Sequence, residues 1–383
     1  MKKKMVRIFA VSVIALGTLF VSCDKDTKKE DAAGKSAVTW TTSFEKAKKQ
    51  AAAKNREIFI LFSGDDWVDS SIPFKQKILY TKEFAQQFGK KFVFLNIDFS
   101  QKEYALADVA EDASEKEKKA AEKIAAEYAD KTVLAMTYNV RSYPVCSYPA
   151  VYILTPEGYV ISQLPVGETV PEYTDFADSL ASVEETCAEF RKYSADLNKS
   201  SGVEKVAAIK ALYENTLADC VIPLRHLVEE VAVLDPENKS GERGLFDLYQ
   251  ANFLSYDEVV SGGDVAEPFV NAVNLGNMNV EQQQNAWFTA AYMLAYSKST
   301  DFDRMLEYLN NSYNLDPTGE HADTILNAIA VTKKNERKNG GTVEGDGLFT
   351  TTVVFHVGAS CSCRGAHTSF NDFFCSRKRI PFY

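Results

Sequence analysis

The first half of the chain alternates continuous apolar runs with segments of helical periodicity. The runs at residues 57–62 and 92–97 contain almost no polar positions, which is typical of strands covered on both faces. Residues 44–54 and 73–89 instead repeat apolar side chains at helical spacing, and hydroxyl residues precede the first of them as an N-cap. This pattern predicts an α/β unit.

A hairpin and a further helix follow in the same unit. Two β-rich runs, at residues 150–154 and 159–163, are separated by Pro156 and Gly158, which favour turns. The helical pattern at residues 171–193 then ends the unit.

Residues 101–132 have a different character. They are rich in alanine and carry six lysines and nine acidic residues. Lysine and glutamate at this density suit an exposed helix. We expect a charged helical insertion whose surface is solvated rather than a binding surface.

The second half of the chain, residues 202–337, has helical spacing throughout. The sequence Leu-Asp-Pro ends a helical pattern at residues 234–236 and again at 315–317. This loop resembles the turns between tetratricopeptide repeats, which offer grooves to partner proteins. The alternative is an α-helical bundle that only stabilises the preceding domain.

The N-terminus has the pattern of an export signal. Residues 1–22 combine a basic start with an apolar run that is shorter than the roughly 20 residues needed to span a bilayer. Ser22 and Cys23 resemble the end of a bacterial lipobox, in which the cysteine is lipidated, although Phe20 departs from the usual leucine. A plain secretory signal is the alternative. If Cys23 is lipidated, residues 23–39 form the lipidated start and a flexible tether.

This N-terminus implies a location. We expect a protein of the bacterial cell envelope that contacts the membrane through the lipid on Cys23, with its folded part outside the cytoplasm, either periplasmic or on the surface. Asp24 resembles an inner-membrane retention signal of some bacteria, but the choice of membrane stays open.

Composition and charge exclude one class of partner. Hydrophobic residues make up 45% of the chain and charged residues 25%, as in ordinary globular proteins. The formal net charge is -10, and the first 22 residues contribute four basic side chains and no acidic one. Because the rest of the chain is still more acidic and has no basic stripe, a nucleic-acid partner is not expected.

The last segment, residues 338–383, differs in composition from the rest, and we expect a poorly packed tail. Its histidines and cysteines raise the alternative of a metal site, formed by His356, Cys361, Cys363, His367 and Cys375. The Cys-x-Cys spacing suits zinc less well than Cys-x-x-Cys does, so we expect neither a metal nor a cofactor.

The order of motifs in residues 40–192 resembles the bacterial thioredoxin-like proteins. A strand leads into Ser-Gly-Asp-Asp-Trp67, a second strand ends at Asp98, and Ser-Tyr-Pro149 precedes the hairpin. The resemblance implies a central sheet of four or five strands with helices on both faces. It also implies a cis-proline opposite the redox motif, for which we favour Pro149, with Pro144 as the alternative.

The redox motif itself is degenerate. Trp67 matches the family tryptophan, but the two cysteines of the family motif fall on Val68 and Ser71, with Asp69 and Ser70 between them. Disulfide exchange needs an attacking thiolate and a resolving thiol, and this segment has neither. We therefore expect no catalytic residue here.

Two interpretations of function remain after the loss of the dithiol. We favour a protein that binds or scaffolds other proteins or peptides, because the cis-proline loop of this fold can pair with an extended peptide without a thiol. Trp67, Tyr148 and Pro149 would form that surface, with Tyr143 beside them. Purely structural display and an atypical oxidoreductase that uses only Cys146 are the alternatives. A disulfide between Cys187 and Cys220 is a further possibility in an oxidising compartment.

Overall fold

The computed structural model describes residues 38–140, 147–166 and 169–339. Within them, a five-stranded mixed sheet has the order β1-β3-β2-β4-β5. The strands are β1 Trp40–Thr41, β2 Glu57–Ser63, β3 Phe92–Asp98, β4 Ala150–Leu154 and β5 Val160–Leu164. β1, β2 and β3 are parallel, and β4 and β5 continue the sheet in antiparallel pairs.

The strand register brings three chain segments to one edge of the sheet. Ser63, the last residue of β2, pairs with Asp98, the last residue of β3. Phe62 pairs with Ala150, the first residue of β4, because β4 runs antiparallel to β2. The loops that follow β2 and β3 and the loop that precedes β4 therefore meet at this edge.

Helices cover both faces of the sheet. Those of the first half are α1 Phe44–Lys54, α2 Ser71–Phe74, α3 Lys82–Phe88, α4 Gln101–Ala105, α5 Glu115–Thr137 and α6 Tyr173–Lys199. One face packs α3 and α6 against the strands through Phe84 and Phe176, while Ala47 of α1 and Ala135 of α5 lie in the core on the other face. Because both faces are covered, β2 is buried along its whole length.

The helix predicted at residues 73–89 is divided. α2 is followed by a π-helical turn at Lys75–Leu79, and α3 begins only after Thr81. The Thr81 side chain accepts a hydrogen bond from the Phe84 amide, so it caps a new helix rather than continuing the old one.

Two other helices are longer than the sequence pattern indicates. α5 runs past the predicted end of the insertion at residue 132, and a capping box of Ser114 and Glu117 fixes its start. α6 continues to Lys199, so the expected domain boundary at residue 192 lies inside this helix.

The second half is helical, in keeping with its sequence periodicity. Its helices are α7 Gly202–Asn215, α8 Arg225–Leu234, α9 Arg243–Ser261, α10 Glu267–Asn274, α11 Val280–Tyr296, α12 Phe302–Leu315 and α13 Ala322–Asn339. The core beside α6 continues into α7, α8 and α9 through Val206, Leu227 and Phe246. A separate core joins α9 to α13. In the part of the chain that the structure describes, no helix combines the length and apolarity needed to span a membrane.

Candidate functional site

The candidate site lies at the sheet edge where the loop after β2 meets the loop before β4. The Tyr148–Pro149 peptide bond is cis. Pro149 therefore has the conformation that the resemblance implies for this position, and both Tyr148 and Pro149 are buried. Tyr143, Pro144 and Cys146 lie outside the described residues, as does Cys23.

The two positions at which the sequence resemblance places the family cysteines have structural contacts. Ser71 is fully buried, and its Oγ accepts a hydrogen bond from the Gly64 amide at 3.2 Å. Val68 is partly buried, and its amide donates to the Gly64 carbonyl at 2.8 Å. Both side chains belong to a tight turn, and neither supplies a nucleophile.

Trp67 fixes the turn to the neighbouring loop. Its Nε1 donates a hydrogen bond to the Phe99 carbonyl oxygen at 2.7 Å. Its ring meets that of Tyr148 edge to face, with 5.4 Å between centroids. A Cβ at Gly64 would come within 2.5 Å of the indole, so the backbone at Gly64 must lack a side chain.

A buried charge network lies directly under the turn. Lys75, on the π-helical turn, is only 4% exposed, and its Nζ donates to both Asp65 carboxylate oxygens at 2.7 Å. The same Nζ donates to Ser63 Oγ at 3.0 Å. Ser63 in turn donates to Asp98 Oδ1 at 2.9 Å, and the Asp65 amide donates to that same oxygen at 2.9 Å. The network joins the ends of β2 and β3 to the start of the helix.

Asp98 is the partly buried carboxyl of this network at the end of β3. Burial raises its pKa, and the nearby negative charge of Asp65 raises it further. The Asp65 amide, the Lys75 ammonium and the Ser63 hydroxyl oppose this effect, but the net direction is upward. Asp98 therefore holds a proton more readily than an exposed aspartate does.

Asp66 links the turn to α4. Its carboxylate accepts hydrogen bonds from the Gln101 and Lys102 amides at 3.0 and 2.8 Å and from the Ser100 hydroxyl at 2.9 Å. Burial acts to raise the pKa of Asp66, but these donors outweigh it and lower the pKa. The turn and the first residues of the insertion are thus held in a fixed relation.

A row of aromatic rings extends from the turn onto the insertion. Tyr148 contacts Phe99 with 5.3 Å between centroids, and Phe99 contacts Tyr128 at 5.5 Å. Tyr128 of α5 lies against Tyr104 of α4 at 4.2 Å. With Trp67 at its other end, this aromatic row connects the cis-proline to the exposed side of α4.

Comparison with known proteins supports a domain assignment for the first unit. Residues 39–156 match the profile of a family described as "Thioredoxin-like". Residues 39–156 form a thioredoxin-like domain. Residues 248–338 match a second family, described as "Uncharacterised protein C-terminal domain". No curated protein matches the chain.

One solved structure, described as "DsbH Oxidoreductase", is similar to the chain. It is 15% identical, the match covers 43% of this chain and 95% of that chain, and the TM-score is 0.26. The predicted fold class, a thioredoxin-like α/β domain followed by a helical region, is confirmed by the family match and the observed sheet.

The two described cysteines lie on α6 and before α8, outside the turn at residues 64–71. Cys187 on α6 and Cys220 near α8 are both buried and free, so the disulfide considered between them is not formed. Burial raises the pKa of each thiol to about 12, which keeps both protonated and unreactive at neutral pH. Across 38–140, 147–166 and 169–339, no three potential metal ligands cluster. The alternative metal site of the tail lies outside these residues.

The sequence analysis missed the charge network and the aromatic row of the thioredoxin-like domain. A signal for part of the network was present, since Ser63 and Asp98 each end a predicted strand and parallel neighbours end at the same edge. Nothing marked Lys75 as buried, because lysine is almost always exposed. The aromatic row joins residues that are distant in sequence, and only the fold brings them together.

Proposed function

We propose that the thioredoxin-like domain binds an extended segment of another protein beside the cis-proline, without dithiol chemistry. The observation that carries this proposal is the arrangement of Trp67, Tyr148 and Pro149 around a turn that contains no thiol. In this fold the backbone next to the cis-proline pairs with an extended peptide by strand addition. Main-chain hydrogen bonds supply affinity in that mode, so the loss of both cysteines leaves the binding surface in place.

The ordered contacts of the turn support the binding proposal. Three anchors hold it: Asp65 on Lys75, Asp66 on the start of α4, and Trp67 on the Phe99 carbonyl. A surface that is already ordered loses less conformational entropy when a partner binds. Ile72, the first residue after Ser71, is 44% exposed and offers an apolar contact next to the turn.

We further propose that the chain is exported and lipid-anchored through Cys23, so that binding takes place at a membrane surface. The basic and apolar pattern of residues 1–22, followed by Ser22 and Cys23, supports this part of the proposal. A lipid anchor would concentrate the domain at the membrane and favour partners that lie there.

Site-specific photocrosslinking in cells tests the binding proposal. A photoreactive phenylalanine analogue replaces Ile72 beside the turn, or Val233 on α8 as the control. Val233 is 80% exposed, so both probes reach solvent. We expect a discrete crosslinked protein from position 72 that is absent from position 233, and mass spectrometry would then identify it. Equal crosslinking at both positions, or none at 72, would contradict binding at the turn.

A further inference from the structure

We propose that the insertion of the thioredoxin-like domain recognises a lysine- or arginine-bearing segment of the partner protein. The surface concerned, here called the insertion surface, consists of Tyr104, Leu106, Val109 and Tyr128. This inference rests on the proposed function, since it assigns the charge of the segment that lies beside the cis-proline. It also revises the expectation that the insertion is merely solvated.

The insertion surface is apolar at positions where solvent would favour polar side chains. Tyr104 is 48% exposed, Leu106 63% and Val109 38%. Single exposed apolar residues are normal on protein surfaces, but these three lie within one short stretch of chain. The ring of Tyr104 also contacts that of Tyr128 at a tilt of 35°, which joins the stretch to α5.

The insertion surface is continuous with the candidate site. The aromatic row leads from Trp67 through Tyr148, Phe99 and Tyr128 to Tyr104. The hydrogen bonds of Asp66 hold the first residues of α4 against the turn. These contacts hold the insertion surface in a fixed position relative to the turn, and the proposed segment would extend onto it from the cis-proline.

The stretch of chain that carries this surface is acidic. Between residues 103 and 115 there are five acidic side chains and no basic one, although lysines flank the stretch at positions 102, 116, 118 and 119. All five are exposed: Glu103, Asp108, Glu111, Asp112 and Glu115. The nearby Lys131 of α5 is engaged with the Asp98 carbonyl oxygen at 2.8 Å. An excess of carboxylates beside the exposed ring of Tyr104 favours cations, which gain both Coulomb and cation–π attraction. The same charge disfavours an anionic lipid surface or a nucleic acid as the occupant.

A peptide-binding measurement on the full-length chain, purified in mild detergent, tests this inference. The probe is a fluorescein-labelled peptide in which lysine alternates with valine, and its counterpart carries glutamate in place of lysine. We expect the lysine peptide to bind, with an affinity that falls as salt is added, and the glutamate peptide not to bind. Equal binding of both peptides, or binding of neither, would overturn the inference.

Two charge-reversed variants locate the interaction. The first carries Asp108→Lys, Glu111→Lys and Asp112→Lys on the insertion. The matched control makes the same change in net charge on α6, at the exposed residues Asp178, Glu185 and Glu189. We expect the insertion variant to bind the lysine peptide about tenfold more weakly and the α6 variant to change less than about twofold. Equal weakening by both would show a general charge effect and overturn the inference.

A third variant separates this inference from the proposed function. Ile72→Asn removes the apolar contact beside the turn without adding charge and leaves the insertion unchanged. If Ile72→Asn abolishes binding and the insertion reversal has no effect, the proposed function stands and the insertion surface is overturned. If the insertion reversal weakens binding and Ile72→Asn does not, the insertion surface stands and binding at the turn is overturned. We expect both changes to weaken binding.

Discussion

The hydroxyl of Ser71 accepts a hydrogen bond from the backbone amide of Gly64, with 3.2 Å between the two atoms. Ser71 is the position at which the sequence resemblance places the second cysteine of the redox motif, and it is fully buried. The side chain that would resolve a mixed disulfide in a dithiol enzyme here closes a turn. Removal of this hydrogen bond should therefore lower the stability of the protein measurably.

Replacement of Ser71 by alanine should destabilise the protein by about 1–2 kcal/mol, because the buried Gly64 amide loses its acceptor. Urea unfolding followed by circular dichroism would measure the loss. Ser70→Ala is the matched control, since the Ser70 side chain makes no capping bond to α2 and is partly exposed. Its effect should stay below about 0.5 kcal/mol. Equal effects of the two substitutions would contradict a structural role for Ser71.

Removal of the buried charge of Lys75 should destabilise the protein more than Ser71→Ala does. Lys75→Met leaves Asp65 without its cation under the turn, and we expect a loss of about 2–4 kcal/mol. The double variant Lys75→Met with Asp65→Asn removes both charges and should recover part of that loss. A double-mutant cycle of urea unfolding measures the coupling directly. Strictly additive effects would show that the two charges do not stabilise each other.

The raised pKa of Asp98 predicts an unusual pH dependence. A carboxyl whose pKa is higher in the folded state than in the unfolded state costs stability when ionised, and this cost disappears as the pH falls through the folded-state pKa. Asp98→Asn should therefore raise stability near neutral pH, and its advantage should shrink on acidification. The asparagine oxygen can still accept from Ser63 and from the Asp65 amide.

Asp66→Asn is the control, because its effect on stability near neutral pH should be opposite in sign to that of Asp98→Asn. The lowered pKa of Asp66 means that its ionised form stabilises the fold above the unfolded-state pKa, and that this contribution is lost as the pH falls through the folded-state pKa. Asp66→Asn should thus destabilise the protein near neutral pH, and this destabilisation should be smaller in acid. Urea midpoints across a pH series would compare the two variants, and the same sign for both would contradict the assigned environments.

How far the sequence predicts this structure depends on the kind of signal. Strands β2 and β3 follow from their continuous apolar runs, because runs this short and this rich in aromatic and β-branched residues favour a strand over a buried helix. The division of the helix at residues 73–89 was not predicted, because Thr81 fits a helical pattern as well as it fits a cap. α6 passes residue 192 because no glycine or proline stops it before Gly202.

The candidate site was predictable only in part. Trp67, Tyr148 and Pro149 follow from the resemblance, and the structure brings the two rings together. The burial of Lys75 is a tertiary effect: the sheet edge supplies the oxygens of Asp65 and Ser63 that make a buried ammonium tolerable.

Lipid attachment at Cys23 is tested independently of the folded domain. Cys23→Ala should abolish incorporation of labelled palmitate and leave an unprocessed precursor, because the modified residue is itself the proposed first residue of the mature chain. Metabolic labelling and electrophoresis would show both effects. Cys187→Ala is the control, since that thiol is buried, and it should label like the unmodified chain. Incorporation of palmitate into the Cys23→Ala protein would contradict lipid attachment at Cys23.

The absence of dithiol chemistry in the thioredoxin-like domain is tested most directly by insulin reduction. A soluble form that begins near Lys28 is mixed with insulin and dithiothreitol, and turbidity from the reduced chains is followed, with circular dichroism as the check on folding. We predict no acceleration over dithiothreitol alone, because Val68 and Ser71 supply neither an attacking nor a resolving thiol. Acceleration by the unmodified chain that disappears in Cys146→Ser would contradict this and establish a single-cysteine oxidoreductase.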